Sequence, residues 1–235
     1  MIERISARPT KEQAKEKKPK KKKKKKEEDD NKTIIVNNIQ LPANETPEVR
    51  TINLYGDITE KKGSEVVSSL LYLQSTSYVE ATAKVSEEEE PEPVVMARGI
   101  EMYISTHGGT ASDMFSIIDV MESIKETTCD IETIGIGKVM SAGVPILAAG
   151  TPGKRRIGKN CRVMLHSVMA GTGGTIFSME NELEEIKWIQ DSYIKCLASY
   201  TKLTAAKIRK ILKTQKDTYF SAEEAIKMGI ADEII

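Results

Sequence analysis

Downstream of Gly99 the chain alternates short runs of apolar residues with helical stripes. Ile100, Met102 and Ile104 alternate with Glu101, Tyr103 and Ser105, the period-two pattern of a strand with one apolar face. After the break at Gly108 and Gly109, Met114, Ile117, Ile118, Met121 and Ile124 recur at three- and four-residue steps, which predicts a helix laid on a sheet. Residues 131–137 predict a further strand, Ser141 opens an apolar helix through Ala149, and residues 162–166 return to strand. Upstream, residues 50–56 read as a strand closed by glycine, with Val66, Val67, Leu70, Leu71 and Leu73 marking the helix behind it. Repeated strand, turn and helix imply an α/β layered domain with right-handed crossovers.

Two stretches break this rhythm. Residues 75–98 hold Glu87 to Glu90, Pro91, Glu92 and Pro93, which suit neither a core strand nor a helix, so an exposed acidic loop or insertion is expected there. Farther on, Met179, Leu183, Ile186, Ile189, Tyr193, Cys196, Leu197 and Tyr200 fall along one side of a long helix over about 178–200. Ser178 is its expected N-cap, and Glu180, Glu182, Glu184 and Glu185 complement the positive end of its dipole. At 1.5 Å per residue such a helix is roughly 33 Å long, enough either to cross its own domain or to project and pair with another subunit. Gly171, Gly173 and Gly174 just before it favour an edge segment over continuous packing.

Charge changes the picture at the N-terminus. The 235 residues carry 35 Lys and Arg against 35 Asp and Glu, a formal balance of zero. Within residues 1–30, however, 13 basic residues face 7 acidic ones, a net of +6, so the remainder carries 22 against 28, a net of −6. The lysines from Lys20 to Lys26 are followed at once by four acids, and nothing apolar is available to bury. Residues 1–31 therefore read as a disordered charged tail, and residues 32–235 as one folded domain carrying the acidic insertion. The lysine tract fits nucleic acid or an acidic protein surface, although a solvated tail is the commoner role for such a block and no aromatic residues interleave for base stacking. No run of about 18 apolar residues is present and the N-terminus has no apolar core of a signal peptide, so a cytoplasmic protein without a membrane span is expected. Cys129, Cys161 and Cys196 are an odd count without zinc-like spacing, which suits reduced thiols.

Ser141 is the candidate nucleophile. It stands between a glycine-ended strand and an apolar helix, where peptide N–H groups favour developing negative charge, although a serine there is equally suited to cap the helix. The glycine spacing around it is not that of a G-x-S-x-G elbow. His166, one of only two histidines, ends an apolar strand and is either the base that would take the serine's proton or a structural histidine. His107, the other, precedes the Gly108-Gly109 break. Cys161 is a rival nucleophile in principle, but five residues before His166 on one strand it would face away. Glycine lets backbone amides approach a substrate closely, and Gly109 and Ala142 are the candidate oxyanion donors.

The segments Ile104-Ser105-Thr106-His107-Gly108-Gly109, residues 137–143 around Ser141, Arg162-Val163-Met164-Leu165-His166, and residues 217–225 from Asp217 onward resemble the Clp protease proteolytic subunit in order and spacing. The resemblance spans about residues 50–74 and 99–235. It implies a crotonase-like, ClpP-like α/β spiral of repeated strand-strand-helix units with a projecting handle helix. It also implies a Ser141, His166 and Asp217 triad, oxyanion donors at Gly109 and Ala142, and substrate contacts at Gly108, Met140 and Ser167. Asp232 corresponds to a structural aspartate. No metal or organic cofactor is implied. The implied partners are peptides or unfolded proteins, further copies of the chain in two stacked heptameric rings around a proteolytic chamber, and an AAA+ unfoldase that feeds the chamber. The chain departs from the family at His107, where proline is usual, at Val139 and Met140, where small residues are usual, and at Ser167-Val168, where Gln-Pro is usual. The tail and the acidic insertion alter regions that, in the family it resembles, lie near the unfoldase-docking face and the axial pore. Two alternatives stay open at this level: a processing protease of the same fold that works without an unfoldase, for example a virus-related one acting in host cytoplasm, and a catalytically silent ring subunit.

Overall fold

A computed structural model describes residues 38–40, 49–84, 92–214 and 216–235. The charged tail, including the lysine tract, lies outside the described residues, as do the acids Glu87 to Glu90. In chain order the elements are β1 (Asn38–Gln40), β2 (Thr51–Tyr55), α1 (Glu60–Ser75), β3 (Tyr78–Lys84), β4 (Glu92–Ala97) and β5 (Ile100–Thr106). There follow α2 (Ala111–Thr127), β6 (Ile131–Met140), α3 (Gly143–Ala148), β7 (Arg155–Ile157), β8 (Arg162–Leu165), α4 (Ile176–Tyr200), α5 (Ala205–Leu212), β9 (Thr218–Phe220), α6 (Ala222–Met228) and β10 (Glu233–Ile234).

The described residues divide into two compact units, one holding 38–40, 78–84 and 92–97, the other 49–77, 98–214 and 216–235. In the first, β1, β3 and β4 form an antiparallel sheet, with Val79 opposite Met96 and Ala81 opposite Val94. The loop expected over 75–98 is therefore largely a hairpin. Its strand signal is the alternation of exposed Tyr78 and Glu80 with buried Val79 and Ala81, which the neighbouring acids and prolines mask when the stretch is read as composition.

The second unit is built on a mostly parallel sheet in the order β10-β7-β6-β5-β2. Its longest strand, β6, has two partners on one edge. Thr133 to Gly135 pair with β7, and Lys138 to Met140 pair with β8, which in turn pairs antiparallel with β9. The strand outruns its expected end at Gly137 because Val139 still fills the core and Lys138 continues the ladder. One face of β5, Ile100, Met102 and Ile104, is fully buried, as is the α2 stripe of Met114, Ile117, Met121 and Ile124. Burying each such side chain is worth about 1.5–3 kcal/mol, so the period read from sequence is also the chief source of cohesion.

Local signals set the helix ends. Thr59 caps α1 through its hydroxyl, and Ser221 and Glu224 form a reciprocal capping box on α6. The cap of α4 is Thr175, whose hydroxyl accepts from the Ser178 N–H, rather than Ser178 itself. This helix is half-packed. Tyr193, Ile194 and Leu197 are buried, whereas Ile176, Phe177, Leu183 and Trp188 in its first half are exposed. Among the described residues no helix is long and apolar enough to cross a membrane.

Candidate active site

The parallel register of β6 and β8 brings Ser141 and His166 together. Met140 pairs with Met164, and the ladder runs one step further as the Ser141 N–H donates to the Met164 carbonyl at 2.9 Å. Beyond that bond the chain must turn sharply into α3. Ser141 does so with φ of +52°, the only positive φ at a non-glycine among the described residues. A left-handed backbone costs a residue with a side chain about 1–2 kcal/mol, and here it lifts the hydroxyl off the end of the strand. Ala142 takes the cap position of α3, so Ser141 caps nothing with its side chain. Its Oγ instead lies 2.8 Å from His166 Nε2.

The glycine pair closes the opposite wall. A Cβ at Gly108 would stand 2.6 Å from the Ser141 Cβ, and one at Gly109 would overlap the Ile58 carbonyl, so neither position admits a side chain. The Ile58 N–H donates to the Gly108 carbonyl and the Thr110 N–H to the Ile58 carbonyl, each at 2.8 Å. This clamp leaves the Gly109 N–H without an acceptor among the described residues, and the Ala142 N–H likewise has none among them. Both residues, with Ser141 and His166, line a cavity of about 330 Å³; Met114, Val168, Met169, Ile186, Ile189 and Tyr193 give it a largely apolar wall, with His107 and Thr110 as its further polar members.

The other expected site residues are placed less closely. Asp217 precedes β9, and extending the β8–β9 register by one step sets it across from His166. Its side chain is nonetheless exposed and makes no hydrogen bond among the described residues, so it is not brought into contact with His166. Met140 is half-buried beside the site, with its carbonyl facing Gly108. Ser167 donates to Gln190 Oε1 at 2.5 Å and borders a neighbouring cavity. His107 lines the site cavity while remaining exposed, its Nδ1 3.9 Å from Asp57 Oδ1. Asp232 is engaged elsewhere, in a bidentate pair with Arg155.

Cys161 offers no competing nucleophile. Burial pushes its thiol up to about 11, and that of Cys196 also to about 11, while burial raises Cys129 as well. At pH 8 only about one Cys161 thiol in a thousand would be ionised, and the thiolate is the reactive form. Iodoacetamide at that pH is expected to leave Cys161 unmodified in the native protein and to label it in guanidinium, as read by peptide mass spectrometry.

Residues 92–235 match the Clp protease family. The chain is also similar to the ATP-dependent Clp protease proteolytic subunit 3 of Frankia casuarinae, 31% identical over 194 residues that make up 83% of this chain and 80% of that relative. The chain belongs to the Clp protease family. Its α/β architecture is the fold of that family, and the chain is a peptidase of the Clp type. What sequence reading missed in this Clp-type site is the part supplied by α4. Ile186, Ile189 and Tyr193 were legible only as members of a helical stripe, and the side of the stripe that meets Ser141 depends on a contact 52 residues away.

Proposed function

We propose that this chain is a serine endopeptidase in which Ser141 attacks the scissile carbonyl and His166 takes its proton and later returns it to the leaving amine. The observation that carries this reading is the 2.8 Å approach of Ser141 Oγ to His166 Nε2 from a left-handed backbone. A hydroxyl needs such a base to act as a nucleophile near neutral pH. The N–H groups of Gly109 and Ala142 receive the oxyanion of the tetrahedral intermediate, where donors aimed at developing charge have their largest effect. Asp217 orients the imidazole after its carboxylate turns toward His166. Gly108, Met140 and Ser167 flank the bound peptide, and the apolar wall from Met114 to Tyr193 takes a large apolar side chain next to the cleaved bond. No metal or organic cofactor takes part.

The assembled form is an oligomeric chamber, two stacked heptameric rings, fed by an AAA+ unfoldase. The unpartnered apolar residues in the first half of α4 support association between copies, since a single chain leaves Phe177 78% exposed and Trp188 61% exposed. One observation favours the reading of a catalytically silent ring subunit: the carboxylate of Asp217 is exposed and makes no hydrogen bond among the described residues.

Fluorophosphonate labelling separates the two. An active peptidase is labelled on Ser141 in the assembled particle and cleaves short peptides after large apolar residues without ATP, with folded proteins degraded only when an unfoldase and ATP are added. Intact rings that take up no label at Ser141 would establish the silent subunit instead.

A further inference from the structure

The hydroxyl of Tyr193 reaches the peptide that follows the nucleophile. Its Oη donates to the Ser141 carbonyl at 3.2 Å, alongside the Val144 N–H at 3.0 Å, so both lone-pair directions of that carbonyl are used. The same planar peptide unit carries the Ala142 N–H on its far side. Holding the carbonyl therefore fixes where the Ala142 N–H points, and a donor on the carbonyl also polarises the unit so that its N–H becomes a stronger donor.

We infer that Tyr193 is a positioning residue for the oxyanion site, orienting and polarising the Ser141–Ala142 peptide from helix α4. This rests on the reading of Ser141 as nucleophile and Ala142 as oxyanion donor. The phenol is well suited to the task. It is 5% exposed, and burial pushes its ionisation far up, so it stays a donor throughout the neutral range. It also acts on a peptide whose natural tendency is to relax, because Ser141 sits at φ +52°. The Ser141 N–H is tied to β8 through Met164, which leaves the carbonyl side as the one the fold must secure by other means. The inference assigns a chemical part to a side chain otherwise readable as one more apolar residue of the α4 stripe.

An oxyanion donor is felt in the transition state far more than in the bound peptide, which sets the test. In assembled particles, Tyr193→Phe keeps the ring and removes the hydroxyl. It is expected to lower kcat per titrated site about tenfold with KM within twofold, and to weaken inhibition by a peptide boronate, whose tetrahedral adduct on Ser141 carries an oxygen in this position, by about the same factor. Binding of the corresponding product peptide should not change. Unchanged kcat and boronate affinity would overturn the inference. So would a fall in the number of sites that titrate with fluorophosphonate at constant kcat per site, since that is the mark of a purely structural tyrosine. Failure of the wild-type particle to label at Ser141 would instead remove the underlying reading, which keeps the two outcomes apart.

Discussion

Replacing Ser141 by alanine is expected to lower kcat for peptide hydrolysis by about 10,000-fold or more, and His166→Ala to do the same. The two groups act as one device: without the imidazole the hydroxyl keeps its proton, and without the hydroxyl the imidazole has nothing to activate. The double variant should accordingly be no slower than either single one, because the oxyanion donors at Gly109 and Ala142 and the apolar cavity remain and supply the residual rate. Asp217→Asn is expected to cost less than either. Among the described residues its exposed carboxylate makes no bond to His166 and must turn to orient the imidazole, whereas His166 already follows β8 in contact with Ser141 and carries the proton itself. Steady-state hydrolysis of a fluorogenic peptide by assembled particles checks all four variants. A Ser141→Ala protein that retains more than about one hundredth of the wild-type kcat would show that another residue performs the attack.

Asp232→Ala is expected to destabilise the fold by about 2 kcal/mol, between the scale of an exposed ion pair and that of a fully buried one, because Arg155 is nearly buried whereas Asp232 reaches solvent. Arg155 is the reason. Its guanidinium, 9% exposed, donates to both carboxylate oxygens of Asp232, to the Ala148 carbonyl at the end of α3 and to the Tyr200 carbonyl at the end of α4. Without Asp232 a nearly buried cation keeps only neutral acceptors. Burial alone would raise the Asp232 carboxyl. The Arg155 hydrogen bonds and charge, with the N–H groups of Gly153 and Arg155, outweigh it and hold the group below the ordinary carboxylate range. Its folded value is therefore depressed, so its stabilisation is complete above the unfolded value near 3.9 and is lost as pH falls through the folded one. Thermal unfolding of wild type and variant should differ by about 6 °C at neutral pH and converge toward acid pH. Equal midpoints at neutral pH would refute the assignment.

The sequence made some of this plain and concealed the rest for physical reasons. The strand at Ile100, Met102 and Ile104 and the helix at Met114 to Ile124 were legible because one buried face imposes a period on the residues themselves. Ser141 was placed at a strand-to-helix junction, but its left-handed backbone was not legible, since serine carries no preference for that region and the turn is enforced by the bond to Met164 and the crowding of Gly108. The hairpin of β3 and β4 was hidden because composition dominated a stretch whose alternation is short. Clp-type spacing pointed to Asp217, yet whether its carboxylate faces His166 depends on the conformation of the turn before β9, which no local pattern encodes. Arg155 with Asp232, 77 residues apart, and Tyr193 with Ser141, 52 apart, belong to the same class of long-range pairing.

The branched edge of β6 has a consequence for regulation. A strand bonded to β5 along one side and to both β7 and β8 along the other cannot loosen alone, because freeing its amides means parting three ladders at once. Local opening takes the cheapest route through a fold, and that route does not pass beneath the nucleophile. Any mechanism that throttles this site by motion has to act from the opposite bank, on the stretch from His166 to the exposed start of α4, where the backbone has no ladder to break.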